Sequence, residues 1–478
     1  MTTFHLNRCL SGFLKYTSKR TPISVLSRSF SSSDTLRKDD NSQLFDVVIS
    51  GGGMVGAAMA CALGHANVFE DKKILLLEAS PQKDFKLPEK YGNRVCALSP
   101  ATKKLLSGFG AWEEICNMRY QPVKRMQVWD ACSDAFITLN HDDMTDDVAY
   151  IVENDVILAA IMKQFDKIKH NVTVMYNSKA EMYTFPSQIQ DGVQENLWIK
   201  VHLPDGETFQ TKLLIGADGF NSLVRKQANI HTLQWDYEQW GLVSTLHFAE
   251  PTENVVAWQR FLPTGPVAVL PLSETQSSLV WTTSPDEAKR LLKLPKENFV
   301  DALNMALWDE DKKDSFAVRA GQVAQDLINT VSPEGTSFRQ LPPTFTDIED
   351  ESRAAFPLSL VHASHYVKPR LALIGDAAHR VHPLAGQGVN LGFGDVTCLR
   401  DVLVQCLCNG GDLGSLSHLL QYETSRQRKV LPVMFAMDGL KRLYGTDFPP
   451  VVVLRTLGLQ ATNSMKSLKD FFVTQATN

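Results

Sequence analysis

The chain reads as an α/β protein. Three stretches carry that reading, each an apolar strand running into a glycine-rich turn: Leu44 to Gly64, Thr211 to Arg225 and Leu371 to Asp395. In the first, Phe45 to Ile49 has the pattern of a buried strand and the Ala-rich stretch from Val55 that of a helix packed on the sheet. Between them lies Gly51-x-Gly53-x-x-Gly56. Gly51 permits the tight turn, Gly53 lets backbone approach a pyrophosphate, and Gly56 lets helix and strand sit close. The helix N-terminus then offers free N–H groups to the phosphates.

A lone motif of this kind is weak, but here "KKILLLEAS" follows as a second strand and ends in Glu78. A carboxylate there can accept both ribose hydroxyls and would repel a 2′-phosphate, which selects FAD or NAD over NADP. The second stretch ends at Gly216-Ala217-Asp218-Gly219, after a hairpin that turns on Asp205-Gly206. In the third, Leu371 to Ile374 is a strand ending at Gly375-Asp376, and a helix begins near Val389. Pro383 to Gly388 is then a Gly-rich loop aimed at a helix start, where backbone N–H groups and the helix dipole favour an anion. A reduced flavin ring is such an anion, and Asp376 can accept hydrogen bonds from ribityl hydroxyls. A metal reading of His379 and His382 lacks a third ligand at sensible spacing, and a hydrolase reading lacks a GxSxG elbow.

Composition narrows the classes. The 478 residues, with a net charge of −5, give no reason to expect nucleic acid. No apolar run approaches the roughly 20 residues of a spanning helix, so membrane contact would be peripheral. The eight cysteines show no CxxC pair and read as free thiols in a reducing compartment. Residues 1–33 carry Arg8, Lys15, Lys19, Arg20 and Arg28 with no acid before Asp34, the composition of a mitochondrial transit peptide. "RSFSS" resembles a matrix processing site, with cleavage after Phe30.

The three turns, taken in order, resemble those of the FAD monooxygenases of the para-hydroxybenzoate hydroxylase family, over residues 44 to about 400. The resemblance implies non-covalent FAD, a flavin C4a-hydroperoxide that delivers one oxygen atom, and a Rossmann-like FAD-binding domain interleaved with a mixed β-sheet substrate domain. It implies that Gly51, Gly53, Gly56 and Glu78 hold the ADP half, that Asp376 holds ribityl, and that Gly386, Gln387 and Gly388 lie under the flavin ring. Arg94 in "NRVCALSP" matches a flavin-contacting arginine, and Asp218 sits in a turn linked to cofactor contacts. The expected organisation is 44–120, 150–232 and 350–410 for the FAD-binding domain, 235–345 for the substrate sheet and 411–478 for C-terminal helices.

Three further stretches, "YIVENDVIL", "WQRFLPTGPVAVLPL" and "FPLSLVHASHYV", resemble the ubiquinone-biosynthesis hydroxylases. With the transit peptide, the likeness is to the mitochondrial branch that hydroxylates ring carbon 5. It implies a 3-polyprenyl-4-hydroxybenzoate-type phenol and molecular oxygen as substrates and a ferredoxin/ferredoxin reductase system as electron donor. It also implies other ubiquinone-biosynthesis proteins as partners, and a peripheral place on the matrix side of the inner membrane. Trp258, Arg260 and Phe261 are candidates to line the substrate pocket, with ordinary sheet packing as the competing reading. No residue is singled out as a catalytic base. The acidic run "HDDMTDDVAY" reads as a solvated loop, and the helical patterns from about 413 could lie on a membrane or a partner. The alternatives are a flavin monooxygenase of another apolar substrate that uses NAD(P)H directly, and a non-catalytic FAD-fold binding protein.

Overall fold

A computed structural model describes residues 42–140, 146–186, 197–309, 313, 318–323, 341–382 and 387–465. The transit-peptide reading of 1–33, the start of the acidic run, Gly386 and the end of the 411–478 region lie outside them.

The apolar run Gln43–Ser50 forms the centre of the first sheet because both of its faces are covered. It pairs in parallel with Ile74–Leu77 on one side and Thr208–Gly216 on the other. Val172–Met175 and Leu371–Leu373 extend the parallel order outward. The core under this sheet joins Val47, Ile49, Leu75 and Leu214 to the small-residue helix Met54–Gly64. That helix is too alanine-rich to show an amphipathic stripe; its small residues allow close packing on the sheet.

The second sheet has nine strands among the described residues and is built round the long strand Thr232–Phe248. Ala354–Ala363 runs antiparallel along one side of it and Gln276–Thr283 along the other. The sheet then continues through Gly265–Pro271, Val256–Leu262 and Arg125–Asp130. The two sheets are interleaved in sequence. Arg125–Asp130, in a segment that no expected domain covered, pairs in parallel with Val256–Leu262. Ala354–Ala363, inside the 350–410 segment expected to serve the nucleotide domain, instead runs along Thr232–Phe248. Neighbour strands 100 or more residues away decide that placement, and local pattern does not contain them.

The long strand is bent where its register shifts between Asp236 and Gln239, with Glu238 held at φ +52°. A bulge of this kind re-aims the side chains around it. Helices Pro285–Lys293 and Lys296–Trp308 cover one face of the second sheet, bringing Leu291 and Phe299 into one core with Trp129, Trp258 and Trp281. The helix Leu416–Tyr444 covers Phe261, Leu358 and Leu360 with Val430, Met434 and Tyr444. The last helix, Pro449–Ser464, is fastened by Arg455, whose Nε and Nη2 donate to the Asp130 carboxylate at 2.7 and 3.0 Å. Both groups are fully buried. No helix among the described residues is long and apolar enough to cross a membrane.

Candidate functional site

The first turn is closed by contacts that only glycine allows. Gly51 has φ +106°, and a Cβ there would lie 2.4 Å from the Ala217 carbonyl oxygen. On Gly56 a Cβ would lie 1.9 Å from the Gly51 carbonyl oxygen. Gly53 is different, since a Cβ there would meet nothing within 4 Å. It caps the helix Met54–Gly64, which has no side-chain cap and no acid in its first turn. The helix therefore presents its N–H groups to an open surface, as a phosphate site requires.

Glu78 follows the strand Ile74–Leu77 and turns back toward this site. Its Oε2 accepts the Gly52 N–H at 2.9 Å and its Oε1 the Ser80 N–H at 2.7 Å. Each oxygen keeps a lone pair for a ribose hydroxyl. Gly52 escaped sequence reading although, unlike Gly53, it is crowded: a Cβ there would lie 2.5 Å from Glu78 Oε2.

The Asp218 turn packs directly on the first turn, through Ala217 N–H donating to Ser50 O at 2.8 Å. Asp218 Oδ2 accepts from Leu223 N and Val224 N at 2.7 and 3.1 Å, while Oδ1 is buried without a partner. Arg225, which the sequence reading passed over, joins this turn to the third. Its Nη2 donates to Phe220 O and its Nη1 to Ala377 O, both at 2.7 Å.

Asp376 stands on a single 3-10 turn, Gly375–Ala377. Its side chain reaches solvent, yet it is crowded enough that burial pushes its carboxyl up from the usual carboxylate range, against Arg380 and His379. No hydrogen bond to its carboxylate is made by the described residues. The turn is positioned from beneath by Asp395 of the helix Gln387–Cys408, whose Oδ2 accepts the Gly375 N–H at 2.8 Å. Burial works to raise the pKa of Asp395, but His379 and Arg426 outweigh it and hold the group below its ordinary value. His379 spends its Nε2 on this carboxylate. Among the described residues no group of three His, Cys, Asp or Glu side chains could hold a metal ion.

Gln387 and Gly388 open that helix. Asn390 ties its first turn to the Arg94 segment: Nδ2 donates to Ala97 O at 2.8 Å, and Oδ1 accepts from Ser99 N at 3.0 Å. Arg94 leads into the strand Val95–Leu98 with its side chain exposed. The bare helix end, the Glu78 lone pairs, the orphaned Asp218 Oδ1 and the unsatisfied Asp376 carboxylate fit a dinucleotide with a ribityl chain.

The three substrate candidates part company. They share the strand Val256–Leu262, where side chains alternate between faces. Trp258 lies in the core beneath the covering helices, edge-on to Trp129 at 6.4 Å. Arg260 points the same way and donates to Ala306 O and Asp309 O at the end of the helix Lys296–Trp308. Phe261 faces the other side, stacked on Tyr444 with centroids 4.1 Å apart. There it lines a cavity of about 290 Å³, together with Tyr237, Gln239, His382 and Lys441. The structure brings only Phe261 of the three to this cavity.

The FAD binding domain family matches residues 45–327 and 339–434. The chain is 54% identical over 428 residues to the mitochondrial ubiquinone biosynthesis monooxygenase COQ6 of Xenopus tropicalis, covering 89% of this chain and 92% of that protein. To the Homo sapiens protein of the same name it is 55% identical over 89% of this chain and 91% of that one. Among solved structures, p-nitrophenol 4-monooxygenase PnpA from Pseudomonas putida DLL-E4 is similar in fold. Its TM-score is 0.64 at 15% identity, over 91% of this chain and 99% of that one. PqsL, a probable FAD-dependent monooxygenase from Pseudomonas aeruginosa, gives 0.60 at 19% identity, over 87% and 100%.

Proposed function

The chain belongs to the FAD binding domain family, in its branch of ubiquinone-biosynthesis monooxygenases, and on that premise we propose that it hydroxylates carbon 5 of a 3-polyprenyl-4-hydroxybenzoate-type phenol. The observation that carries this reading is the identity of more than half over 89% of the chain to proteins of that name, joined to three glycine-rich turns that are tied together in the fold.

Bound FAD supplies the activation of molecular oxygen; the protein supplies place and polarity. Gly51, Gly53 and Gly56 let the pyrophosphate approach the helix N-terminus, and Glu78 accepts the adenosine ribose hydroxyls. Asp376 takes the ribityl hydroxyls, and the free oxygen of Asp218 takes a further cofactor donor. The N-terminus of the helix Gln387–Cys408 would stabilise the negative charge of the reduced ring. Arg94, exposed on the neighbouring segment, would contact the flavin as the resemblance implies. Carbon 5 lies ortho to the phenol oxygen, so the chain must also hold the ring, polarise the phenol and keep water out.

Electrons come from a ferredoxin/ferredoxin reductase system. A strand followed by GxGxxG occurs once in the sequence, which leaves transiently docked NAD(P)H or a redox protein as donor, and the resemblance to the mitochondrial ubiquinone-biosynthesis hydroxylases favours the redox protein. The place of work is the mitochondrion, peripheral on the matrix side of the inner membrane and beside other ubiquinone-biosynthesis proteins. The basic, acid-free composition of residues 1–33 and the mitochondrial names of the relatives support that location.

The test is reduction of the purified holoenzyme without oxygen, then admission of oxygen with a short-chain prenyl phenol. Bleaching of the flavin band by reduced ferredoxin and not by NADPH, followed by a product hydroxylated at carbon 5, is the expected result. Prompt bleaching by NADPH would transfer the reading to direct hydride donation. Hydroxylation elsewhere on the ring, or none, would overturn the assignment.

A further inference from the structure

Beyond the Asp376 turn, the chain passes through the short strand His379–Arg380 to His382, which is only 1% exposed. Neither nitrogen of this ring has a hydrogen-bond partner. Across from it, on the bulge of the long strand, Tyr237 is 4% exposed and its hydroxyl is also without a partner. The indole N–H of Trp235 faces that hydroxyl but falls short of hydrogen-bond geometry, and as a donor it would in any case leave the O–H proton unused. The two rings meet edge to face with centroids 4.8 Å apart, and both line the cavity of about 290 Å³.

Unpaired buried polar groups are costly, so a fold keeps two together where a ligand completes them. The required ligand can be read from the donors. Burial and the nearby Lys441 push His382 down to about 4, so at neutral pH its ring carries one N–H and one bare nitrogen. Tyr237, pushed up by burial, keeps its proton. A carboxylate could use only the donors of this pair. A hydroxyl uses a donor from one member and an acceptor from the other. The remaining walls join the Phe261–Tyr444 stack to the polar side chains Glu238, Gln239, Lys441 and Arg442. Lys441 stands 4.6 Å from the Tyr237 ring centroid and donates to Tyr237 O at 3.1 Å.

We propose that this cavity seats the phenolic head of the substrate, with its hydroxyl exchanging hydrogen bonds with Tyr237 Oη and a ring nitrogen of His382. The assignment rests on the phenol-hydroxylase reading above and names the residues that read the phenol. His382 acts as a neutral hydrogen-bonding partner and not as a proton store.

The experiment is calorimetric binding to the FAD-loaded enzyme of geranyl-bearing 4-hydroxybenzoate and of the same compound without its 4-hydroxyl, which lacks both donor and acceptor. Wild type is expected to favour the phenol by about tenfold, the scale of one hydrogen bond. Tyr237→Phe and His382→Gln should each bring that preference to near unity while FAD content stays the same. Tyr237→Phe removes an atom that holds nothing in the free protein, so it decides the matter alone if His382→Gln fails to fold. A preference that survives Tyr237→Phe overturns the proposal, as does a wild type that does not discriminate. If wild type forms hydroxylated product while the preference survives the variants, the pocket assignment alone fails. If the preference behaves as expected but no hydroxylated product forms, the proposed reaction alone fails.

Discussion

His379 Nε2 lies 2.7 Å from Asp395 Oδ2, and Arg426 Nε lies 2.6 Å from the other oxygen of the same carboxylate. Through Asp395 the turn carrying Asp376, the helix Gln387–Cys408 and the helix Leu416–Tyr444 are held at one fully buried point. Asp395→Asn would leave the Arg426 guanidinium buried and uncompensated. We expect a loss of roughly 3–5 kcal/mol, as for other broken buried pairs. Urea unfolding should show it, together with a lower FAD content in whatever folds.

Gly53→Ala and Gly56→Ala separate cofactor space from fold. The Gly56 variant must push a Cβ into backbone 1.9 Å away, so it should unfold at clearly lower temperature with or without FAD. In the Gly53 variant nothing lies within 4 Å of the new atom. Its FAD-free stability should fall by less than about 1 kcal/mol, the cost of Ala at a helix cap. FAD affinity, followed by flavin fluorescence on dilution, should nevertheless fall at least about tenfold. An unchanged affinity would remove the pyrophosphate from this turn.

Arg455→Met should destabilise the chain by about 3–5 kcal/mol by stranding the buried Asp130 carboxylate. Arg455→Met combined with Asp130→Leu should recover much of that loss, because two apolar groups of similar volume need no partner. Denaturant midpoints of the wild type, both single variants and the double variant check it. Additive losses would count against the pair as the fastening of the last helix.

His382 titrates below its ordinary value, at about 4, because burial disfavours the charged ring. The unfolded chain therefore takes up its proton near pH 6.5 and the folded chain only near 4. The sign follows: folding is favoured at high pH, and stability is lost as the pH falls from 6.5 toward 4. The loss amounts to roughly 3 kcal/mol from this group. Stability curves of wild type and His382→Gln should converge over that window. Parallel curves would show that the ring is not held neutral.

Phe261→Ala and Arg260→Met should differ in kind. Phe261 lines the cavity, so its truncation should raise KM for the phenol. Arg260 holds the end of the helix Lys296–Trp308, so Arg260→Met should lower the melting temperature and leave KM within about twofold. Steady-state kinetics beside thermal melts separate the two. A large KM effect from Arg260→Met would return that side chain to the substrate.

What could be read from the residues follows from the range of each cause. Gly51 and Gly56 are legible because a tight turn and a close helix leave no room for a side chain. Glu78 is legible because it ends the next strand, and Asp376 because its strand runs into a helix-directed loop. Asp395 had left a faint mark as a lone acid within the otherwise apolar "VNLGFGDVTCL". Arg225 and Arg426 left none, since a buried arginine and an exposed one look alike in sequence.

The strand–turn–helix units and the cofactor class are legible locally, because glycine geometry, apolar runs and a strand-end carboxylate act over a few residues. Only the tertiary structure decided which face of Val256–Leu262 meets the cavity, since a two-residue period is identical on either side until the neighbouring layers are known. It alone brought Tyr237 to His382, and Arg455 to Asp130 across 325 positions. Those pairings depend on a bulge in one strand and on how a helix from the far end of the chain lies over the sheet. Contacts of that reach come from the packing of whole elements, and no local stretch contains them.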